Sequence, residues 1–158
     1  MKTAIIFATT HGTTKKVAQM IAVKLGSDSC TLINIKETPK IDLSNYNQLV
    51  IGASIHAGNI QSSMREFIKQ NTVSILEKRV GLFLCYMNEP ELGNQIERAF
   101  PEVIRKQALS VQGVGGEFLF EKMNFFQRFI VHKISGIKET TSNIKEKTVD
   151  QLVKEISI

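Results

Sequence analysis

The sequence predicts an α/β protein built on an open, five-stranded parallel sheet with helices on both faces. Short apolar runs alternate along the chain with longer segments of helical period, which is the pattern of strand–helix–strand units. The first run is continuously apolar, as expected of a strand buried on both faces. The 158 residues suffice for one compact domain, because domains usually hold about 100 to 200 residues. We therefore predict a single domain over residues 1–158.

Five apolar runs are predicted as strands. They are Lys2–Ala8, Thr31–Ile35, Leu49–Ala53, Val80–Tyr86 and Ala108–Val114. Asn34 interrupts the second run, which places that strand nearer an edge of the sheet. The fifth strand is expected to end at Gly115-Gly116 because glycine pairs favour turns.

Segments of helical period follow the strands. Residues 13–25 carry apolar side chains at helical spacing, and Gly26 stands where a helix would end. Further helices are indicated near Met64, over residues 92–100, and from Ile144 to the end of the sequence. These predicted helices alternate with the strands and would cover both faces of the sheet.

The composition narrows the range of partners. The net charge is +5 and the pI about 9.3, which suits anionic partners such as a phosphate or an acidic membrane surface. Only residues 122–138 combine basic and aromatic side chains as a nucleic-acid module would, so we expect no nucleic-acid partner. The sequence leaves the oligomeric state open.

The cysteines and the apolar runs bear on localisation. Cys30 and Cys85 lie far apart in apolar surroundings, so free buried thiols are expected rather than a metal site or a disulfide framework. The sequence shows neither a signal-peptide core nor a run of about 18 apolar residues. We therefore predict a cytoplasmic protein that either remains free or touches the membrane peripherally.

One segment departs from the alternation of strands and helices. Residues 117–141, the aromatic-basic segment, contain five of the nine phenylalanines, interleaved with Lys, Arg and His. As a helix, its apolar residues would spread far beyond the stripe that a surface helix buries. Its phenylalanines are expected to form a satellite core or dimer interface, or else to dock on an anionic membrane or a quinone.

The loop between the first strand and helix 13–25 suggests a phosphate site. It reads Thr9-Thr10-His11-Gly12-Thr13-Thr14, so hydroxyls and the free amides of a helix N-terminus face one point. Neither GxxxxGK[ST] nor GxGxxG is present, which favours a small phosphate monoester over a triphosphate or a dinucleotide. The alternative is that the threonines only cap the helix. His11 either bonds the phosphate or remains solvated.

Residues 5–21 resemble the N-terminal signature of the flavodoxin family, which holds the phosphate of FMN. Residues 52–58, 64–69 and 118–136 are similar to one branch of it, the menaquinone-dependent protoporphyrinogen oxidases. Those enzymes usually carry Arg-Tyr where this chain has His56-Ala57. The resemblance implies a flavodoxin-like fold with FMN as its cofactor and a redox partner or quinone as acceptor.

The resemblance also implies where FMN would lie. The cofactor-binding residues expected from it are Thr9, Thr10, His11, Gly12, Thr13, Thr14, Ser54, Ile55, His56, Ala57, Gly58, Met87, Asn88, Glu89, Gly115, Gly116 and Glu117. The loops 54–59 and 87–90 would hold the ring. His56 is expected either at the ring or in solvent, and Tyr86 either at the ring or in the core. No side chain is expected to act as acid or base, and no metal is expected.

Two functions follow from the resemblance. The first is an FMN-dependent oxidoreductase, similar to the protoporphyrinogen oxidases and using a quinone acceptor. The second is a one-electron carrier of the ordinary flavodoxin kind, without a substrate of its own. The basic charge and the aromatic-basic segment favour the enzyme.

Overall fold

The structure is a computed structural model that describes residues 1–118 and 141–158, together with Gln127, Phe129 and Lys133. Within the two continuous ranges the chain forms eight strands and five α-helices. The strands are β1 (Thr3–Phe7), β2 (Cys30–Asn34), β3 (Gln48–His56), β4 (Asn59–Ile60), β5 (Arg79–Cys85), β6 (Ser110–Gly113), β7 (Gly115–Phe118) and β8 (Thr141–Ile144). The helices are α1 (Thr13–Leu25), α2 (Ser62–Leu76), α3 (Leu92–Ala99), α4 (Glu102–Gln107) and α5 (Glu146–Ile156).

The central sheet has the order β2-β1-β3-β5-β6, and all its neighbouring strands run parallel. The predicted open sheet of five parallel strands is confirmed. From β1 the chain goes first to β2 on one side and then to β3 on the other, so the strand order reverses beside β1. In open α/β sheets, ligands bind at the carboxyl ends of the strands near such a reversal.

Helices cover both faces of the sheet, as predicted. On one face, Ile5 of β1 packs with Val17 of α1 and Leu152 of α5. On the other, Ile6 packs with Phe67 of α2 in a cluster that also takes residues of α3 and α4. Full burial of one such side chain stabilises the fold by about 1.5–3 kcal/mol. Packing on both faces of the sheet therefore holds its strands in fixed positions.

The third strand is longer than predicted. The prediction ends it at Ala53, before the loop 54–59, but β3 continues to His56 and the chain turns back as β4, which pairs antiparallel with β3. Ala57 and Gly58, which join them, both have positive φ, at 48° and 82°. Two such residues make the two-residue connection whose twist matches a hairpin. The sequence contains no Asn-Gly signal there, so the hairpin was missed.

The fifth strand of the sheet, β6, ends at Gly113, just before Gly115-Gly116 where its end was predicted, but the glycine pair also begins a further strand that was not predicted. Gly115 has φ 71° and turns the chain out of the central sheet into β7, which pairs antiparallel with β8. A Cβ at Gly115 would lie 1.8 Å from the carbonyl oxygen of Asn143. The glycine therefore allows the close approach of the two strands, and they flank residues 119–140.

Helix α4 was also not predicted. The predicted helix over 92–100 ends at Ala99, because Phe100 is extended at φ −125° and ψ 128°. Pro101 follows, and the residue before a proline is disfavoured in helical conformation. The chain then starts a new short helix, whose Ile104 is buried under the sheet.

Candidate functional site

A cavity of about 210 Å³ lies at the carboxyl ends of β1, β3 and β5, beside the reversal of strand order. It is lined by Thr9, Thr10, His11, Thr13, Thr14, Ser54, Ile55, His56, Ala57, Cys85, Tyr86, Met87, Gly116, Glu117 and Gln127. The three loops selected from the sequence thus meet at one place. They do so because parallel strands bring their carboxyl ends to the same edge of the sheet.

Some expected residues stand outside this lining. Gly12, Gly58, Asn88 and Gly115 each adjoin a lining residue in the sequence but do not line the cavity themselves, and Glu89, two positions after Met87, does not line it either. Gln127 belongs to the lining and was not predicted. Nothing in its neighbourhood, where phenylalanines and basic residues dominate the pattern, distinguishes it as a site residue.

The loop 9–14 leaves the N-terminus of α1 open to a ligand. Gly12 is the N-cap residue at φ 96°; no side chain caps the helix, and its first turn contains no acidic residue. The Thr9 hydroxyl oxygen accepts a hydrogen bond of 2.9 Å from the Gly12 amide and so closes the loop. The first amides of α1 therefore keep their donor capacity and their partial positive charge. Threonines that only capped the helix would instead bond these amides through their side chains.

Among the threonines of the loop, Thr14 is the most deeply buried, at 1% exposed. It interacts with the thiol of Cys85, a buried cavity-lining residue at the end of β5. Burial raises the pKa of Cys85 to about 12, and the interaction with Thr14 lowers it only weakly. At neutral pH the thiol is therefore uncharged.

A cation reaches the loop from another element. The Lys36 ammonium, in the turn after β2, donates to the Thr10 hydroxyl oxygen over 3.2 Å. The Gln61 amide donates to the same oxygen over 2.7 Å. The sequence showed no Lys or Arg within the loop, and Lys36 was missed because it is 26 positions away. Only the pairing of β2 with β1 brings it there.

Two histidines lie at the rim of the cavity. Their rings, His11 and His56, are 6.3 Å apart between centroids and meet edge to face. The Ser54 hydroxyl and Nε2 of His56 share a hydrogen bond of 3.0 Å. Removal of water from around the ring lowers the pKa of His56, and electrostatic interactions with His11 and Lys36 lower it further. Both effects favour the neutral form of the His56 ring.

Glu89 contacts the cavity-lining Tyr86. Its carboxylate accepts hydrogen bonds of 2.6 Å from both the Tyr86 hydroxyl and the Lys145 ammonium. Lys145 also donates to the Tyr86 hydroxyl over 2.7 Å. These bonds lower the pKa of Glu89 and hold the Tyr86 ring, which is buried at the cavity. Glu89 therefore acts on the site through Tyr86.

Glu117 joins the cavity to the start of α1. Its side chain is 5% exposed and accepts hydrogen bonds from the Lys16 ammonium at 2.8 Å and from the Ser142 hydroxyl at 3.1 Å. A buried carboxylate is stable only when it is paired in this way. The contact fixes β7 and β8 against the helix whose N-terminus faces the cavity.

Most of the aromatic-basic segment lies outside the described residues, including Phe120, Phe125 and Phe126. Of the residues described there, Gln127 lines the cavity and Phe129 is 54% exposed. Among the helices of the described ranges, none is long and apolar enough to cross a bilayer.

The donor set fits the phosphate of FMN. The uncapped amides of α1, the hydroxyls of Thr10 and Thr14 and a cation at the loop edge are the groups that bind a phosphate monoester. The part of the cavity lined by the β3–β4 hairpin and Tyr86-Met87 is where the attached ring would extend.

Comparison with known proteins gives a consistent result. Residues 4–145 match the family described as flavodoxin domain. A protein from Leishmania major named protoporphyrinogen IX dehydrogenase (quinone) is 25% identical over an alignment of 159 positions, gaps included, that covers 90% of this chain and 68% of that protein. The Escherichia coli K12 protein of the same name is 32% identical over 77 residues, covering 48% of this chain and 42% of that protein. The matched part is thus less than half of the Escherichia coli protein.

Solved structures show the same fold. A Streptococcus pneumoniae flavodoxin superposes with a TM-score of 0.62 at 12% identity, covering 99% of this chain and 98% of that one. Flavodoxin 1 from Bacillus cereus gives 0.58 at 16% identity, covering 99% and 95%. At these identities the likeness concerns the fold alone.

Proposed function

The chain belongs to the flavodoxin family, whose cofactor is FMN, and we propose that it is an FMN-dependent oxidoreductase that oxidises a protoporphyrinogen-like donor and passes the electrons to a quinone. The observation that carries the proposal is the open N-terminus of α1 beside a cavity at the strand reversal. The similarity to the Leishmania major protein over 90% of the chain supports the substrate class.

The chain's own residues would hold the cofactor at two places. The amides of the first turn of α1 and the Thr14 hydroxyl would bind the phosphate, which suits the partial positive charge of a helix N-terminus. The β3–β4 hairpin and Tyr86 would contact the ring. Tyr86 is fixed for this role by Glu89 and Lys145.

The ring would be covered less than by a pair of large aromatic residues. The chain contains no tryptophan, and the hairpin presents His56 with small neighbours instead. An open ring face admits a bulky apolar donor or acceptor. When bound, FMN supplies the two-electron acceptor that takes two hydrogen atoms from the donor and gives them to a quinone, forming a quinol.

The decisive experiment is a coupled assay of FMN-loaded protein with protoporphyrinogen IX and a menaquinone analogue under anaerobic conditions. We expect porphyrin fluorescence to appear in proportion to protein, and only when both FMN and quinone are present. The proposal fails if porphyrin forms no faster than in a control without protein. If that same preparation is reduced by a flavodoxin reductase, the chain is an electron carrier instead.

A further inference from the structure

His56, the last residue of β3, brings a titratable ring to the rim of the cavity. It lines the cavity together with its neighbours Ile55 and Ala57 in the β3–β4 hairpin, and it is exposed to solvent. An unperturbed histidine titrates near a pH of about 6.5. His56 can therefore exchange a proton directly with water, beside the part of the cavity where the FMN ring would extend.

The hydrogen bond between Ser54 and His56 suits both charge states of the ring. The Ser54 hydroxyl oxygen lies 3.0 Å from Nε2 of His56, and a hydroxyl both donates and accepts. When the ring is neutral with its hydrogen on Nδ1, the hydroxyl donates to Nε2. When the ring is protonated, Nε2 donates and the hydroxyl oxygen accepts. The contact therefore persists when the charge of the ring changes.

The charged groups that face His56 come from two other elements and oppose its protonation. His11, in the loop after β1, places its ring 6.3 Å away between centroids, and Lys36, in the turn after β2, acts on the ring electrostatically. Across the hairpin, His56 pairs with the uncharged Asn59. Among the described lining residues the carboxylate is Glu117, which is paired with a lysine of α1.

Reduction of FMN changes the charge that His56 would face. Reduced FMN is an anion whose additional negative charge lies on the ring, whereas the phosphate carries the same charge before and after reduction. A negative charge within about 4–6 Å favours the protonated form of a histidine. The ring can therefore make the proton affinity of His56 depend on oxidation state, and the phosphate cannot.

We propose that His56 takes up a proton when FMN is reduced and releases it when FMN is reoxidised, while the Ser54 hydroxyl reverses the direction of its hydrogen bond. Two electrons and one proton convert FMN to its anionic reduced form, and His56 binds a second proton from water. Reoxidation returns both protons and both electrons. The inference rests on FMN binding within the proposed function, and it does not depend on the identity of the donor or the acceptor.

The first test is the midpoint potential of FMN-loaded protein as a function of pH. Each proton taken up with the two electrons adds an equal increment to the slope of the potential against pH. We expect a doubled slope between the pKa values of His56 in the oxidised and in the reduced protein. His56→Gln should lose the doubling and keep the slope of one proton. His132→Gln, which removes another of the three histidines, is the matched control and should retain the doubling.

Two further measurements make the result specific to His56. NMR titration of the histidine ring protons in the unsubstituted protein follows each ring directly, and we expect the proton affinity of His56 to be about tenfold higher in the reduced protein. His11→Gln removes a group that opposes protonation of His56. It should therefore move the interval of doubled slope to higher pH without abolishing it.

Either of two results would overturn the inference: the same slope in His56→Gln as in the unsubstituted protein, or the same proton affinity of His56 in both oxidation states. The redox titration uses neither protoporphyrinogen nor a quinone. If porphyrin fails to form in the coupled assay while His56 still gains a proton on reduction, the proposed substrate is refuted and the inference stands.

Discussion

The Thr14 hydroxyl lies between the uncapped first turn of α1 and the buried thiol of Cys85. Replacing it with valine keeps the shape of the side chain and removes one donor from the proposed phosphate site. We expect Thr14→Val to weaken FMN binding by about tenfold to 150-fold, because one lost hydrogen bond to a charged group costs about 1.5–3 kcal/mol. Fluorescence titration of the apoprotein measures it.

Riboflavin provides the control for that substitution, because it lacks the phosphate and should bind both proteins equally. Thr31→Val, at an exposed position of β2, should leave both affinities unchanged. Equal losses for FMN and riboflavin would mean that the substitution disturbs the cavity rather than a phosphate contact.

The raised pKa of the buried Cys85 thiol predicts that the fold becomes less stable at alkaline pH. Its folded pKa is raised to about 12 from 9.0, so the folded chain keeps a proton that the unfolded chain releases above pH 9. The stabilisation is complete below pH 9 and is lost progressively between pH 9 and 12. At pH 10 the loss amounts to about 1.4 kcal/mol.

The measurement for Cys85 is urea unfolding at pH 8 and pH 10, followed by circular dichroism. Cys85→Ala should lower the free energy of unfolding at both pH values. Its decrease from pH 8 to pH 10, however, should be smaller than that of the unsubstituted protein by about 1.4 kcal/mol. The same fall in both proteins would place the titrating group elsewhere.

At the scale of elements, the pairing of β7 with β8 depends on Gly115. Its φ of 71° and its approach to the Asn143 carbonyl leave no room for a Cβ. We expect Gly115→Ala to lower the free energy of unfolding by about 1–3 kcal/mol. Gly93→Ala, in helix α3 with open space around the glycine, should instead stabilise by up to about 1 kcal/mol. Urea unfolding of the two variants compares them directly.

The elements that the sequence predicts well are those defined by local pattern. The predicted strand Lys2–Ala8 contains β1, Thr3–Phe7, whose residues are all buried, and α1 covers 13–25 as predicted. Burial of one or both faces of an element produces a recognisable spacing of apolar residues in the sequence. Strand β7 and the β3–β4 hairpin depend on positive φ angles and on pairing partners, neither of which produces a regular spacing of apolar residues in the sequence. Pro101 did carry a signal, and it marks the boundary between α3 and α4.

The same distinction, between local sequence pattern and contacts made by the fold, applies to the residues of the site. The hydroxyl loop follows from contiguous residues, whereas Lys36 at Thr10 and Lys145 at Glu89 depend on chain segments brought together by the fold. Charge alone does not single out two lysines among 20 basic residues. Glu89 lies near the expected loop, but its contacts with Tyr86 determine its role.

At the scale of the whole molecule, the net charge of +5 acts on the flavin in a definite direction. Reduced FMN is an anion, and surrounding positive charge stabilises it relative to the oxidised form. We therefore expect a less negative midpoint potential than in strongly acidic flavodoxins. A single charge at a separation of about 10 Å in water contributes about 0.4 kcal/mol, or on the order of 10 mV for a two-electron couple.

The direction in which salt shifts the midpoint potential distinguishes the effect of the net charge from that of local contacts. Raising the ionic strength shortens the screening length from about 10 Å at 0.1 M to about 3 Å at 1 M. In a positively charged protein this removes a stabilisation of the reduced flavin, so the midpoint potential should become more negative with salt. Redox titration of the FMN-loaded protein, with free FMN as reference, measures the shift. A shift toward more positive potential would mean that acidic groups dominate the field at the flavin and that the net charge does not set its potential.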